Sequence, residues 1–255
     1  MELHHKIVGH KPQHLYILHG LLGTADNWHL LSRKYSEYFT VILPDLRNHG
    51  HSPHSREFSY DLMVEDVLEL VQKTGSKNIY ILGHSMGGKV AMQLALNFPS
   101  LVSKLIVADM RPQLFEPNHQ HIFDALFSLD LSVLQTRKEA EDFLKNKGIQ
   151  TEGEILFLLK NLGRDADGKF MWKPNLDSLW GNYSQILQPV YGGSFNQPTL
   201  FIKGGLSNYI LPKYYDEINK LFPLWQLDTI ESAGHWLHAD APEQFFYKTM
   251  QFLNS

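Results

Sequence analysis

The chain contains no cysteine. That excludes disulfide bridges, a cysteine nucleophile and thiolate metal sites, and it fits a reducing compartment. An excess of charge is missing too. Lys and Arg number 23 against 27 Asp and Glu, a formal net charge of −4. The basic footprint that nucleic-acid binding requires is therefore absent, and so is an acidic tail. No stretch approaches the roughly 18 uninterrupted apolar residues of a membrane-crossing helix. The first residues, MELHHKIVGHKPQHLYILHG, lack the basic start and apolar run of a secretory signal. There is no internal repeat and no low-complexity tract. These absences point to a cytoplasmic protein with no membrane span and no nucleic-acid partner.

What is present is an alternation. The runs LYIL (15–18), TVIL (40–43), IYIL (79–82), LIVA (105–108) and TLFI (199–202) are short, aliphatic and nearly continuous. Strands read this way when a parallel sheet is covered on both faces. Helical patterns lie between them. In 59–75, Tyr60, Met63, Val64, Val67, Leu68 and Val71 form one face, Ser59 can cap the start and Gly75 can end the helix. The alternation predicts an α/β fold, a mostly parallel central sheet with helices on both faces. It lapses over 111–190. There, Thr136 with Glu139 and Thr151 with Glu154 fit capping boxes, and FMW (170–172) is the one convincing strand. This segment reads as a helical cap over a core made of 1–110 and 191–255.

Gly83-His84-Ser85-Met86-Gly87 falls between a strand run and a helical stripe of Val90, Ala91, Leu94, Ala95 and Phe98. A lone G-x-S-x-G is weak evidence, and a capping serine would look similar. The order strand, sharp turn, helix is what the motif's mechanics demand, because the strained turn pushes the hydroxyl into the open. Ser85 is thus the candidate nucleophile. A serine hydroxyl needs a base, and histidine titrates near neutrality. Among 14 histidines, only His235 follows the last expected strand in a loop before an apolar helix. His238 is its nearest rival and is expected inside that helix. The groups His49-x-His51-x-x-His54 and His119-x-His121 lack a carboxylate pattern for metal binding and read as solvated loop histidines. For an oxyanion hole, the Met86 N–H lies at a helix N-terminus and the Leu21 N–H follows His19-Gly20 after the first central strand.

With these residues in place, the chain resembles the α/β-hydrolases from end to end. HGLLGTADNW (19–28), DLRNHGHSPHS (45–55), SYDLMVEDV (59–67) and GHSMGGK (83–89) resemble the YbfF-type esterases and the related mitochondrial α/β-hydrolase-domain proteins. The resemblance covers the core and only loosely the cap. It implies cofactor-free hydrolysis of small-molecule carboxylic esters, with thioesters such as acyl-CoA also in range, and the lack of cysteine and of a convincing histidine cluster leaves no metal site. Carbon–carbon hydrolases and perhydrolases share the fold, as do some non-catalytic small-molecule receptors. Ser85 disfavours dehalogenase and epoxide-hydrolase chemistry, which uses a nucleophilic aspartate.

One position departs from the pattern. Most α/β-hydrolases carry the acid that steers the histidine in a G-x-x-D turn, and here that turn is Gly204-Gly205-Leu206-Ser207. A neutral hydroxyl can fix a tautomer but does little to balance an imidazolium. Asp109 ends the strand run after the nucleophile and keeps the chain order Ser, Asp, His. In the YbfF-type group an acid at this place serves that role. Asp109 and Ser207 both remain candidate partners of His235, while Asp45, which also ends a strand, reads as structural. Phe123, Phe127, Phe170, Trp172 and Trp180 are cap aromatics available to line an acyl slot or to pack the cap's interior.

Overall fold

A buried apolar run must pair its backbone N–H and C=O groups, and a run too short for a helix does so in a ladder. In the computed structural model, which describes residues 1–149 and 151–255, all five runs do so. β1 (His5–Val8), β2 (His14–Leu18), β3 (Thr40–Pro44), β4 (Ile79–His84) and β5 (Val102–Ala108) are followed much later by β8 (Thr199–Gly204) and β9 (Trp225–Ile230). They form one seven-stranded sheet in the order β1-β3-β2-β4-β5-β8-β9. Only β1 is antiparallel to its neighbour. β1 and β9 are the edges, and neither stood out as an apolar run. HKIV and WQLDTI are largely half-exposed, so burial on two faces does not dictate their composition.

Helices cover both faces. α1 (His29–Tyr35) and α11 (Pro242–Asn254) pack on one side, and α2 (Tyr60–Lys73) and α3 (Met86–Asn97) on the other. On α2 the expected face is buried except for Leu68, which is half-buried, and Leu70 and Asp66 join it. Ser59 accepts from the Leu62 N–H at 3.1 Å, and Gly75 ends the helix at φ +64°. α3 is buried from Met86 to Leu96, because the sheet lies on one side of it and later chain segments on the other. Phe98, the expected last member of its apolar stripe, is instead exposed.

Between β5 and β8 the chain adds α4 (Gln120–Ser128), α5 (Arg137–Asn146), α6 (Glu152–Leu159), the hairpin β6 (Leu162–Arg164) and β7 (Phe170–Trp172), α7 (Leu176–Gly181) and α8 (Tyr183–Ile186). The N-cap half of each expected box forms: Thr136 Oγ1 accepts from Glu139 N–H and Thr151 Oγ1 from Glu154 N–H, each at 3.2 Å. The Glu139 carboxylate binds the Gln135 N–H, one residue before the cap. Lys89, buried on α3, ties this segment down by donating to the carbonyls of Leu187 and Gln188. Burial lowers its pKa to about 7. After β8 come α9 (Tyr215–Leu221) and, beyond β9, the short α10 (Leu237–Asp240). Among the described residues no helix is long and apolar enough to cross a membrane.

The loop after β3 is anchored by a buried ion pair. Arg47 donates from Nε and Nη2 to the two oxygens of Asp66, at 2.6 and 2.9 Å, and also to the carbonyls of Glu57 and Leu62. Asp66→Ala leaves the guanidinium buried beside an empty site. Breaking a buried pair in this way costs on the order of 3–5 kcal/mol. Urea unfolding should show a loss of that order, with m unchanged.

Candidate active site

Ser85 occupies the turn between β4 and α3 with φ +52° and ψ −122°, a region that costs a non-glycine residue about 1–3 kcal/mol. The two glycines of the motif make the turn possible. A Cβ on Gly83 would lie 2.2 Å from the Gly87 carbonyl oxygen, and one on Gly87 would lie 2.4 Å from that of His19. No other residue fits at either place. The turn projects the hydroxyl beyond the carboxyl ends of the strands, where α/β sheets present their ligand sites.

His235 reaches Ser85 from the loop after β9. Its Nε2 lies 3.0 Å from Ser85 Oγ, and its Nδ1 lies 2.7 Å from Asp109 Oδ2. A proton on Nδ1 donated to the carboxylate leaves Nε2 free to accept the serine proton. Asp109 follows β5 at φ +47° and is fully buried. Besides His235, it accepts from the Gly204 N–H at 3.2 Å and from the Ser207 hydroxyl at 2.5 Å. Ser207 Oγ in turn accepts from the Tyr209 N–H at 3.2 Å. The neutral residue of the G-x-x-S turn therefore binds the acid and not the imidazole, so the direct Ser207 contact with His235 allowed by the sequence is not formed. Tyr209 stacks on the His235 ring, 3.9 Å between centroids. His84 Nε2 donates to the His235 carbonyl at 2.8 Å. His238 lies not in the apolar helix α11 but in the short α10 before it, stacked on Trp28 at 4.3 Å, and bonds to neither Ser85 nor Asp109.

The loop carrying Leu21 is held by two buried histidines. Leu22 donates its N–H to His49 Nε2 at 3.1 Å, and Leu46 donates its N–H to His19 Nε2 at 2.9 Å. The Nδ1 of each ring donates to a carbonyl, that of Arg47 for His49 and that of Gly20 for His19, both at 2.8 Å. Each ring is therefore neutral, protonated at Nδ1. Burial lowers the pKa of both, that of His49 to about 3. Reading His49 as a solvated loop residue was wrong: it is fully buried, because a loop backbone N–H needed an acceptor away from water. His51 and His54 are exposed as expected. His119 is half-buried, its Nδ1 2.6 Å from the Tyr183 hydroxyl. Asp45 has the structural part expected of it, accepting from the N–H groups of Ala25 and His51. The Met86 N–H is the first of α3 and has no intrahelical acceptor.

Ser85 and His235 open into a cavity of about 200 Å³. Its apolar wall comes from Trp28, Ile122, Phe157, Leu158 and Trp236, with Glu154 and His121 near them. None of the five cap aromatics singled out in the sequence lines it. Phe123, for one, is buried against Trp180 and Tyr183. Spacing within a helix cannot tell which face meets the core domain, so Phe157 and Trp236 escaped notice. Among the described residues no cluster of three or more His, Asp or Glu side chains is arranged to hold a metal ion.

Sheet order and the strand–turn–helix at Ser85 define the α/β-hydrolase fold, and the model of that family matches residues 13–242. The chain belongs to the α/β-hydrolase fold family. It is 32% identical to Esterase YbfF of Escherichia coli, over 96% of this chain and 94% of the other. It is 36% identical to the sn-1-specific diacylglycerol lipase ABHD11 of Mus musculus, over 94% of this chain and 80% of the other. A solved structure of a marine microorganism esterase superposes with a TM-score of 0.96 at 42% identity, covering 98% of this chain and 99% of that one.

The buried histidines carry a pH dependence of known sign. A histidine whose folded pKa lies below its unfolded value of about 6.5 makes the unfolded state bind more protons in acid. Its neutral contribution is whole above pH 6.5 and is lost as pH falls toward about 3. His49→Ala leaves the Leu22 N–H without its acceptor, at a cost of about 1–3 kcal/mol at pH 7.5. The urea midpoint at pH 7.5 should fall for the variant, and the drop between pH 7.5 and pH 5 should be smaller than in the wild type, because about 2 kcal/mol of acid penalty leaves with the imidazole.

Proposed function

We propose that the chain hydrolyses carboxylic esters, and acyl thioesters by the same chemistry, through Ser85, His235 and Asp109. That it is a carboxylesterase-type hydrolase follows from relatives named esterase and lipase over most of the chain and from the esterase neighbour at 42% identity. The observation that carries the mechanism is the unbroken line Ser85 Oγ–His235–Asp109, at 3.0 and 2.7 Å, beside the cavity.

His235 Nε2 takes the serine proton as Oγ attacks the acyl carbonyl. The amides of Leu21 and Met86 stabilise the resulting oxyanion. His235 then protonates the leaving group, and water repeats the sequence on the acyl-enzyme to release the acid. Asp109 keeps the tautomer and balances the imidazolium. Ser207 holds the carboxylate oxygen that faces His235. Residues 111–190 act as a cap, whose α4 and α6 supply Ile122, Phe157 and Leu158 to the cavity. Side chains and backbone supply every proton transfer and charge contact, so no cofactor is needed.

Ser85→Ala should lower turnover on the order of a million-fold, and an organophosphate should label the wild type once, at Ser85. Turnover should survive exhaustive EDTA treatment, and a loss restored by zinc would contradict the mechanism. Sustained release of product separates this reading from a receptor.

Asp109→Asn should cost on the order of ten-thousand-fold, as in other triads. Ser207→Ala, which only loosens the carboxylate, should cost about ten-fold. The double variant Asp109→Asn with Ser207→Asp places a carboxylate where Ser207 Oγ now lies, next to the oxygen that binds His235. It should recover part of the loss. The reverse ranking of the single variants, measured as kcat, would move the charge-bearing role away from Asp109.

A further inference from the structure

Ser85 lines a second, smaller cavity of about 20 Å³ besides the one of about 200 Å³. We propose that the small cavity takes the acyl substituent and the large one the leaving group, so that the enzyme selects acetyl and similarly short acyl groups on bulky apolar alcohols. This deepens the serine-esterase reading and rests on it.

The assignment follows from where the proton must go. The leaving-group oxygen receives its proton from His235 Nε2, so it departs on the side of that ring. His235 lines only the large cavity, together with Trp236 and Phe157. Met86, whose amide faces the oxyanion, lines only the small one. With the oxyanion and the leaving group fixed, the third substituent of the tetrahedral carbon has the small cavity left to it.

Its size then sets the selectivity. Roughly 10–15 Å³ of such space accommodates one water-sized group, so about 20 Å³ accepts a methyl and little more. The wall beyond is formed by Tyr60, Met110, Phe115, Ile186, Leu187 and Lys89. It cannot yield easily. The Tyr60 hydroxyl donates to the Ile186 carbonyl at 2.6 Å, and the Lys89 ammonium is committed to the carbonyls of Leu187 and Gln188. The same bonds keep the Tyr60 hydroxyl and the Lys89 ammonium from the substrate, while Asn118, His119 and Tyr209 line both cavities.

Two ester series measured on the full chain test this. In p-nitrophenyl acetate, propionate, butyrate and hexanoate the acyl group grows against a constant leaving group. Each added methylene should lower kcat/KM by about ten-fold, the scale of methylene discrimination in an apolar pocket. In methyl, hexyl and naphthyl acetates the alcohol grows instead, and kcat/KM should hold or rise. Leu187→Ala removes side chain from the far wall without touching the carbonyl that Lys89 binds, and should raise the butyrate-to-acetate ratio at least ten-fold. A wild type that prefers hexanoate to acetate, or that tolerates long acyl groups and rejects large alcohols, overturns the assignment while leaving the serine-esterase reading intact. Absence of turnover on every ester, despite labelling of Ser85, overturns both.

Discussion

A single buried carboxylate organises the catalytic edge of this molecule. Asp109 has no access to water, and a charge so placed is tolerated only when hydrogen bonds replace its hydration. Three donors do so, and they come from separate parts of the chain: the Gly204 amide at the end of β8, the Ser207 hydroxyl in the turn that follows, and His235 beyond β9. Satisfying Asp109 therefore fixes the ends of two further strands relative to β5. It also sets the angle at which the imidazole meets Ser85. The contacts that satisfy the buried charge are also the contacts that orient His235 toward Ser85.

The other half of the site depends on neutral groups. The turn at Ser85 is strained, and the loop with Leu21 runs close enough that a Cβ on Gly20 would sit 3.1 Å from that of Ser85. Such a loop cannot bond all its amides internally. His49 supplies an acceptor from outside to the Leu22 N–H, His19 reaches out of the loop to accept from the Leu46 N–H, and Asn161 donates to the Leu22 carbonyl at 2.7 Å. The loop after β3 thus braces the loop after β2, and the Arg47–Asp66 pair braces the former against α2. The shared motif residues of 45–55 have structural work even though none of them touches Ser85 or His235 by a hydrogen bond.

The central strands, the turn at Ser85 and the histidine loop were legible because each is dictated locally: continuous aliphatic runs by burial on two faces, Gly83 and Gly87 by backbone collision, Ser59 and Thr136 by unpaired helix amides. Asp109 was legible by its place at a strand end and the chain order, with the serine at 207 as the prompt. What the sequence concealed depends on contacts between distant segments. His49 looked like one of several polar loop residues, and nothing in its neighbours announces that Leu22, 27 positions away, needs an acceptor. Nothing in the sequence around Lys89 announces its partners at 187 and 188. The choice left open for the aromatics of 111–190, slot or interior packing, depends on the same kind of contact, and Phe123 took the second course against Trp180 and Tyr183.

Supplying the acid from β5 also changes what surrounds the imidazole. The loop after β8, relieved of a carboxylate, lays Tyr209 flat on His235, and the face of an aromatic ring favours a cation. Of the other histidines that line the cavity, His84, His119 and His238 would each repel an imidazolium if charged. Burial prevents this, holding His84 well below its ordinary pKa, His238 at about 3 and His119 at about 4. The charge on His235 contributes to lowering all three. Of these rings only His235 combines a carboxylate on one nitrogen, an aromatic face beside it and the Ser85 hydroxyl on the other, which under the proposed mechanism makes it the destination of the Ser85 proton.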